Sequence, residues 1–308
     1  MAVADWGRLL LLSFLWGGSF FFAKVIVQEV PSLTLVCIRF TIASAALWIY
    51  LRTCRLAIPH TMPAWSSFAG MGTLNNLIPA ALIAWGQTTI ASGLASILIG
   101  TTPIFSLLAA HYLTTDEKMS ANRIAGVALG FSGVVVLLSA DSSNGSRQSF
   151  LAIVGCLAAA LSYGFANVFG RRFKRMGIAP SVSAFGQITA TAVLALPLAL
   201  TVDAPWRLPV PSAAVWGSMV GLSLVSTALA YVIFFRILAS AGGTNISLVT
   251  LLIPVSAILL GWLILGERLL GVQLAGMLLI GLGLIAIDGR AMQVVHVVRP
   301  PHGTGRHG

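Results

Sequence analysis

Residues 247–287 read SLVTLLIPVSAILLGWLILGERLLGVQLAGMLLIGLGLIAI; in the first half of the chain, residues 95–118 read ASILIGTTPIFSLLAAHYLTTDEK and residues 123–137 read RIAGVALGFSGVVVL. Each copy holds two long apolar runs parted by a short charged turn, with a proline inside the first run, a glutamate in the turn and glycines in the second run. The match extends outward. Trp65 pairs with Trp216, Ser96 with Ser247 and Pro103 with Pro254 at an offset of 151, and Glu117 pairs with Glu267, Gly126 with Gly276 and Gly133 with Gly283 at an offset of 150. One residue is therefore inserted or deleted between the proline and the glutamate. Six matches in one order, with Trp, Pro and Glu among them, mark an internal duplication.

Composition identifies the solvent. Of 308 residues 57% are hydrophobic and 8% charged, against roughly 25% charged in soluble domains. So few charges cannot cover a water-facing surface, and most of this chain faces lipid. The formal net charge of +10 does not signal nucleic acid, because the basic residues sit in short gaps between apolar runs instead of clustering with aromatics on one face. Cys37, Cys54 and Cys156 are far apart and form no CxxC pair, so no disulfide framework is expected.

A membrane-spanning helix takes roughly 20 mostly apolar residues. Breaking the chain at charge, Pro and Gly-Ser punctuation predicts ten, near residues 8–28, 32–51, 64–86, 91–113, 121–140, 149–170, 180–201, 212–236, 243–264 and 270–288. The first run carries one Arg before it and leads into a second span, so it reads as a spanning helix and not as a cleaved signal peptide. With the N-terminus inside, thirteen Lys and Arg fall on the cytoplasmic side and three (Arg147, Arg207, Arg268) on the other, while Lys24 and Arg39 lie within spans. That bias predicts both termini in the cytoplasm of a multi-pass cell (inner) membrane protein. The expected organisation is an all-α integral membrane fold of ten transmembrane helices as two inverted five-helix repeats, 8–140 and 149–288, followed by a disordered cytoplasmic tail over 289–308. Inversion follows from the odd helix number of each half. It is common in secondary transporters, whose sites lie between the repeats near the midplane.

These motifs, together with LLSFLWGGSFFFAKVIVQ (11–28) and PSLTLVCIRFTIASAAL (31–47), resemble the drug/metabolite transporter superfamily, specifically its ten-helix EamA-type exporters. The resemblance covers about 8–288. Pro254, Glu267 and Gly276 match the family's repeat signature, and Pro103, Glu117 and Gly126 repeat it with one extra residue. It implies export of a small molecule such as an amino acid, nucleobase or drug-like metabolite by alternating access. The second helix of the family also resembles this one in carrying an arginine at the place of Arg39.

Several side chains carry the chemical expectations. Arg39 lies roughly 12 Å along the second span from its outer end, where a charge is costly and faces protein or a watery cavity. It reads either as an anchor for a substrate carboxylate or carbonyl, or as an arginine satisfying helix-end carbonyls. Lys24, near the outer end of the first span, is expected to snorkel to the headgroups. Glu117 and Glu267, just before the fifth and tenth spans, read as helix caps that meet exposed N–H groups and the dipole. No Asp or Glu falls at midspan. His111 is the remaining titratable group there, though an interfacial hydrogen bond also accounts for it.

Polar uncharged groups at mid-membrane are costly unless they face protein or water. Asn75 and Asn76, Tyr163 and Asn167 on one face of the sixth span, Tyr231, and Trp16, which holds the place in the first half that Tyr163 holds in the second, form the expected substrate-contact set. Interhelical hydrogen bonding explains any one of them equally well. Pro103 and Pro254 predict kinks in the fourth and ninth spans, suited to gating or to shaping the bundle. The pairs Gly126/Gly130 and Gly217/Gly221 allow close helix contacts within the chain or across a homodimer. No HExxH, GxSxG, acidic pair or Cys/His cluster offers a nucleophile, metal site or acid–base couple, so neither an enzyme nor a cofactor or metal is expected. The other function classes are a channel or a membrane scaffold. An exchanger of phosphorylated or nucleotide-linked metabolites would need several cavity cations, whereas Arg39 is the one clear candidate, which favours smaller and less charged cargo.

Overall fold

The computed structural model describes residues 3–114, 119–142, 147–241 and 248–288. Glu117 and the tail 289–308 lie outside the described residues. In lipid every backbone polar group must be satisfied within the chain, which leaves helices as the one economical element for an apolar chain of this length. The described residues form them almost throughout and include no strand. We number the helices α1 (Val3–Ile26), α2 (Ser32–Thr53), α3 (Met62–Gly72, a π turn Thr73–Leu77, then Ile78–Gln87), α4 (Ser92–Ile99 and Thr102–Leu113) and α5 (Ala121–Ser142). They continue as α6 (Arg147–Arg175), α7 (Pro180–Leu198 with a π turn Ala199–Asp203), α8 (Ala213–Val220, a π segment Gly221–Leu229, then Ala230–Ala241), α9 (Leu248–Leu265) and α10 (Gly271–Asp288). Among the described residues, seven helices are long and apolar enough to cross a membrane and the apolar parts of α9 and α10 are shorter. The remaining one, α3, is diluted by Ser66, Ser67, Thr73, Asn75 and Asn76.

The helices pack as a two-fold bundle, each with a mate five places on. The pairs α2–α7, α4–α9 and α5–α10 are self-mated contacts, and α1–α9 is repeated by α6–α4, α1–α8 by α6–α3, and α2–α8 by α7–α3. Individual residues obey the same operation. A Cβ on Gly126 would sit 2.7 Å from the carbonyl oxygen of Gly283, and one on Gly133 would sit 2.7 Å from that of Gly276. Since Gly126 is the repeat mate of Gly276 and Gly133 that of Gly283, the two contacts exchange under the two-fold. In the α1–α9 crossing Gly17 lies against Ser256, and in the α4–α6 crossing Gly164 lies against Phe105. Apolar side chains give helices little reason to associate in lipid, so close backbone approach at such glycines carries the packing. These contacts use Gly126 and Gly130 inside the chain, with Gly130 against Ile104 and Gly221 against the Phe22 ring, while Gly217 has nothing within 4 Å.

The two proline-bearing spans differ in continuity: α4 is interrupted at Gly100–Thr101 with Pro103 in the first turn of its second segment, whereas Pro254 lies inside the continuous α9. In α4 the N–H of Ile104 bonds to the Thr101 carbonyl and Thr101 Oγ1 donates to that of Leu98 at 2.6 Å, so the break is satisfied locally. A glycine beside a threonine permits this interruption, and the matching positions before Pro254 are apolar. The π turns of α3 and α8 fall at matching places in the repeats. Pro79 accounts for the first, because its ring cannot coexist with a helical bond to the Asn75 carbonyl. In the second, Thr227 Oγ1 donates to the Leu222 carbonyl five residues back at 2.7 Å.

Candidate functional site

The two π turns turn their side chains toward the same region of the bundle. On α3, Asn75 Nδ2 donates to Gln187 Oε1 of α7 at 2.9 Å and to the Tyr231 hydroxyl of α8 at 3.4 Å. Asn76, 4% exposed, donates to Gln187 Oε1 at 3.5 Å and Thr191 Oγ1 at 3.3 Å. Thr191 in turn donates to the carbonyls of Gly72 and Gln187. On α8, Thr227 Oγ1 accepts from Arg39 Nε of α2 at 3.0 Å. Thr227 is the repeat mate of Asn76 at an offset of 151, so the same bulge position ties α3 to α7 in one half and α8 to α2 in the other. π-Bulges inside helices are frequently found at functional sites.

Arg39 is the centre of this region. Its guanidinium lies 5.0 Å from the Phe40 ring centroid and within electrostatic reach of the phenols of Tyr163 on α6 and Tyr231. Among the described residues it has no carboxylate partner, and its terminal nitrogens make no hydrogen bond, only Nε being tied down. An aromatic wall continues from it: Tyr231 stacks on Phe235 at 6.0 Å and meets Phe234 edge-on at 6.5 Å, and Phe234 lies 5.7 Å from Trp16. Trp16, Arg39, Asn75, Tyr163 and Tyr231 all keep partial exposure although each sits well inside its helix and is turned toward other helices. A polar side chain at that depth is costly unless it meets protein or water.

Of the substrate-contact set expected from sequence, Trp16, Asn75, Tyr163 and Tyr231 meet around this region with Arg39, and Asn76 backs it through Gln187. Asn167 does not join them. It lies one turn beyond Tyr163 and donates to Ser106 Oγ of α4 at 2.8 Å. A cleft of about 420 Å³ nearby is lined by Leu74, Leu113, Phe165, Val168, Phe169, Arg172 and Arg175. It runs from the finishing ends of α4 and α6 to Leu74, the chain neighbour of Asn75. A second cavity of about 210 Å³, between α4, α9 and α10, is apolar and includes Pro254. Gln187, Thr191 and Thr227 were missed from sequence. The repeat offset would have found Thr227 as the mate of Asn76; Gln187 carries no signal beyond being an amide in an apolar span.

Two expectations about charge are corrected. Lys24 does not snorkel: its Nζ donates to the carbonyls of Gln87 at 2.6 Å and Ile90 at 2.9 Å, closing the last turn of α3. Those carbonyls are unpaired where the helix ends, and a cation there also meets the negative end of the dipole. Glu267 is a cap, but not of the α10 helix it precedes. Its carboxylate accepts from Ser92 N at 2.9 Å, Ser92 Oγ at 2.6 Å and Gly93 N at 3.4 Å, at the start of α4. The start of α10 is served instead by Gln273 Oε1, which accepts from Leu270 N at 3.0 Å. Gly261 makes the room, since a Cβ there would lie 2.8 Å from Ser92 Oγ and against Glu267 Oε2. His111 Nδ1 accepts from the Met119 N–H at 3.3 Å, a loop-closing bond.

Comparison with known proteins agrees with this architecture. The EamA-like transporter family matches residues 7–139 and 150–287. The transporter YoaV of Bacillus subtilis is 28% identical over 261 residues, covering 83% of this chain and 86% of that protein. The inner membrane transporter YedA of Escherichia coli is 25% identical over 268 residues, covering 83% and 81%. A protein of E. coli described as a "probable amino-acid metabolite efflux pump" is 28% identical over 183 residues, 59% of this chain and 58% of that one. A solved crystal structure superposes with a TM-score of 0.63 at 20% identity, covering 93% of this chain and 98% of that chain, which shows a shared fold. With both halves of the chain matched, and a two-fold helical bundle to hold them, the chain belongs to the EamA-like transporter family and is a multi-pass membrane transporter.

Proposed function

We propose that this protein is a secondary transporter that exports small metabolites carrying a carboxylate, amino acids among them, by alternating access about the region centred on Arg39. The carrying observation is the state of Arg39 itself. Its Nε is held by Thr227 while its terminal nitrogens, the strongest donors at that depth, are left without a protein partner among the described residues. A guanidinium presents paired donors in a plane that fits one carboxylate. The phenols of Tyr163 and Tyr231 and the amide of Asn75 supply neutral polar contacts, and Trp16, Phe234 and Phe235 an apolar wall. One cation suits one carboxylate better than a phosphorylated or nucleotide-linked cargo. The efflux-pump relative supports amino-acid cargo, and the basic-residue census supports a topology with both termini, and with them the basic mouth of the α4–α6 cleft, on the cytoplasmic side.

The test is uptake of radiolabelled amino acids and monocarboxylates into proteoliposomes, with and without proton and sodium gradients. Saturable uptake with counterflow is expected for the wild type. Arg39→Lys keeps the charge but loses the planar fork, and should raise KM on the order of tenfold or more with the protein still inserted. Unchanged transport by Arg39→Lys and Arg39→Gln would remove Arg39 from the site, and conductance without saturation would mark a channel.

A further inference from the structure

We propose that Glu29, Asp203 and Glu267 together form a closed gate at the end of the bundle where α1, α3, α7 and α9 finish, and that this gate makes the state open at the opposite end the resting state. The proposal rests on the alternating-access reading above.

Each of the three carboxylates does the same thing. It reaches from one repeat to the other and takes both the backbone N–H and the hydroxyl of a Ser or Thr at the start of a helix. Glu29, between α1 and α2, accepts from Ser212 N and Ser212 Oγ of α8, both at 2.7 Å. Asp203, ending α7, accepts from Thr34 N at 2.7 Å and Thr34 Oγ1 at 2.9 Å in the first turn of α2. Glu267, between α9 and α10, holds Ser92 of α4 as described above. Charge-assisted bonds to a helix start gain from both the unpaired N–H groups and the dipole. Three of them across the repeat boundary therefore fasten the two halves together at this end. Lys24 reinforces the same corner, since it grips the α3–α4 turn from α1 and lies in the field of Glu267.

The opposite end is built otherwise: there the Asp5 carboxylate of α1 accepts from Ser240 Oγ near the end of α8 at 2.8 Å, a single hydroxyl bond with no helix-start N–H in it. In an inverted repeat the two gates are two-fold mates, and alternating access closes one as it opens the other. At the offset of 149 that matches Pro31 with Pro180, the mates of Glu29, Asp203 and Thr34 are Ile178, Cys54 and Ser183; at 151, the mate of Ser212 is Thr61. An isoleucine and a cysteine stand where the carboxylates would be, so two of the three clasps have no counterpart. That end holds the cleft with Arg172 and Arg175 on its wall. With unequal gates the equilibrium is unequal, and the clasped arrangement is favoured when the site is empty. For a protein whose termini are cytoplasmic, that leaves the empty site facing the cytoplasm, ready for cargo to be exported.

Distances between spin labels test this in the full chain in lipid nanodiscs, with the native cysteines replaced. One label pair on cysteines at Gln28 and Val210 spans the clasped end, and a second pair at Tyr112 and Lys174 spans the cleft end; all four positions are exposed. The wild type should show mainly the short distance at the clasped end. The triple substitution Glu29→Gln, Asp203→Asn, Glu267→Gln should raise the long-distance fraction there on the order of tenfold or more, with a matching shortening at the cleft end. Gly261→Ala, which displaces the Glu267 carboxylate without touching a charge, should shift both pairs the same way by less, and serves if the triple variant does not fold. Unchanged distributions in these variants overturn the proposal. So does a lengthening at the clasped end with no change at the cleft end, which would mean that the carboxylates only cap helices. These distances need no cargo, so failure of the wild type to transport would remove the transport reading and leave the gate result standing.

Discussion

Replacing Gly283 by alanine should loosen the seam between α5 and α10, and the geometry sets the size of the effect. The added methyl carbon would lie 2.6 Å from the Gly126 carbonyl oxygen, 2.7 Å from the Gly130 nitrogen and 2.9 Å from the Gly130 Cα. All three are backbone atoms, so no side chain can swing aside. The nearest is roughly 0.8 Å inside the 3.4 Å at which ordinary van der Waals contact begins, and the helices must part by a similar distance. A gap of about 0.5–1 Å forfeits a quarter to a half of the dispersion energy of each contact along the seam, and overpacking of this kind typically costs about 1–3 kcal/mol. Gly281 is the control. It sits two residues earlier on the same helix with nothing within 4 Å, so Gly281→Ala pays no clash and gains up to about 1 kcal/mol of helix propensity. The assay is SDS-induced unfolding of both variants in mixed micelles, followed by tryptophan fluorescence. Gly283→Ala should be less stable than Gly281→Ala by about 1–3 kcal/mol. Equal midpoints would refute the claim that backbone approach at this glycine holds the two repeats together.

The same structure makes further predictions. Thr227→Val removes the acceptor of Arg39 Nε; cargo affinity should fall roughly fivefold to tenfold, read as KM in proteoliposomes, with expression and kcat little changed, in keeping with about 1 kcal/mol net for one hydrogen bond. Gln187→Leu removes the acceptor that Asn75 and Asn76 share and leaves their Nδ2 groups the longer bonds to Tyr231 and Thr191; it should cost about 1 kcal/mol of stability in the unfolding assay. The backbone N–H and the hydroxyl of Ser212 hold the Glu29 carboxyl below the usual carboxylate range. A depressed folded-state pKa contributes stability that is present above the unfolded value and is lost as pH falls through the folded one. Wild type should therefore lose stability below about pH 4.3 by a component that Glu29→Gln lacks; parallel pH profiles for the two proteins would contradict the bond.

How much was legible beforehand depends on the range of the interaction. Two repeats, helix ends within a few residues and an odd helix number per half could be read because lipid imposes one local rule: apolar runs long enough to cross become helices, and charge marks where they stop. The duplication added the mates of each residue, and Gly126 and Gly130 marked a close helix contact without naming the partner helix. Arg39, Asn75 and Tyr231 stood out because a polar group at that depth is expensive wherever it points.

What tertiary structure decided was where those groups point. Glu267 and its own helix are adjacent in sequence, yet the carboxylate serves α4, since Gln273 already supplies α10 and Gly261 opens the way across. Lys24 turned inward because unpaired carbonyls at the end of α3 lay within its reach. Pro103 and Pro254 are equivalent in sequence and not in shape, because Gly100 and Thr101 let α4 break where α9 cannot. Gln187 became part of the candidate site only when α7 came against the π turn of α3. Periodicity and burial are properties of a segment and survive in the sequence alone. Partners across the bundle are a property of the packing, and sequence spacing holds no record of them.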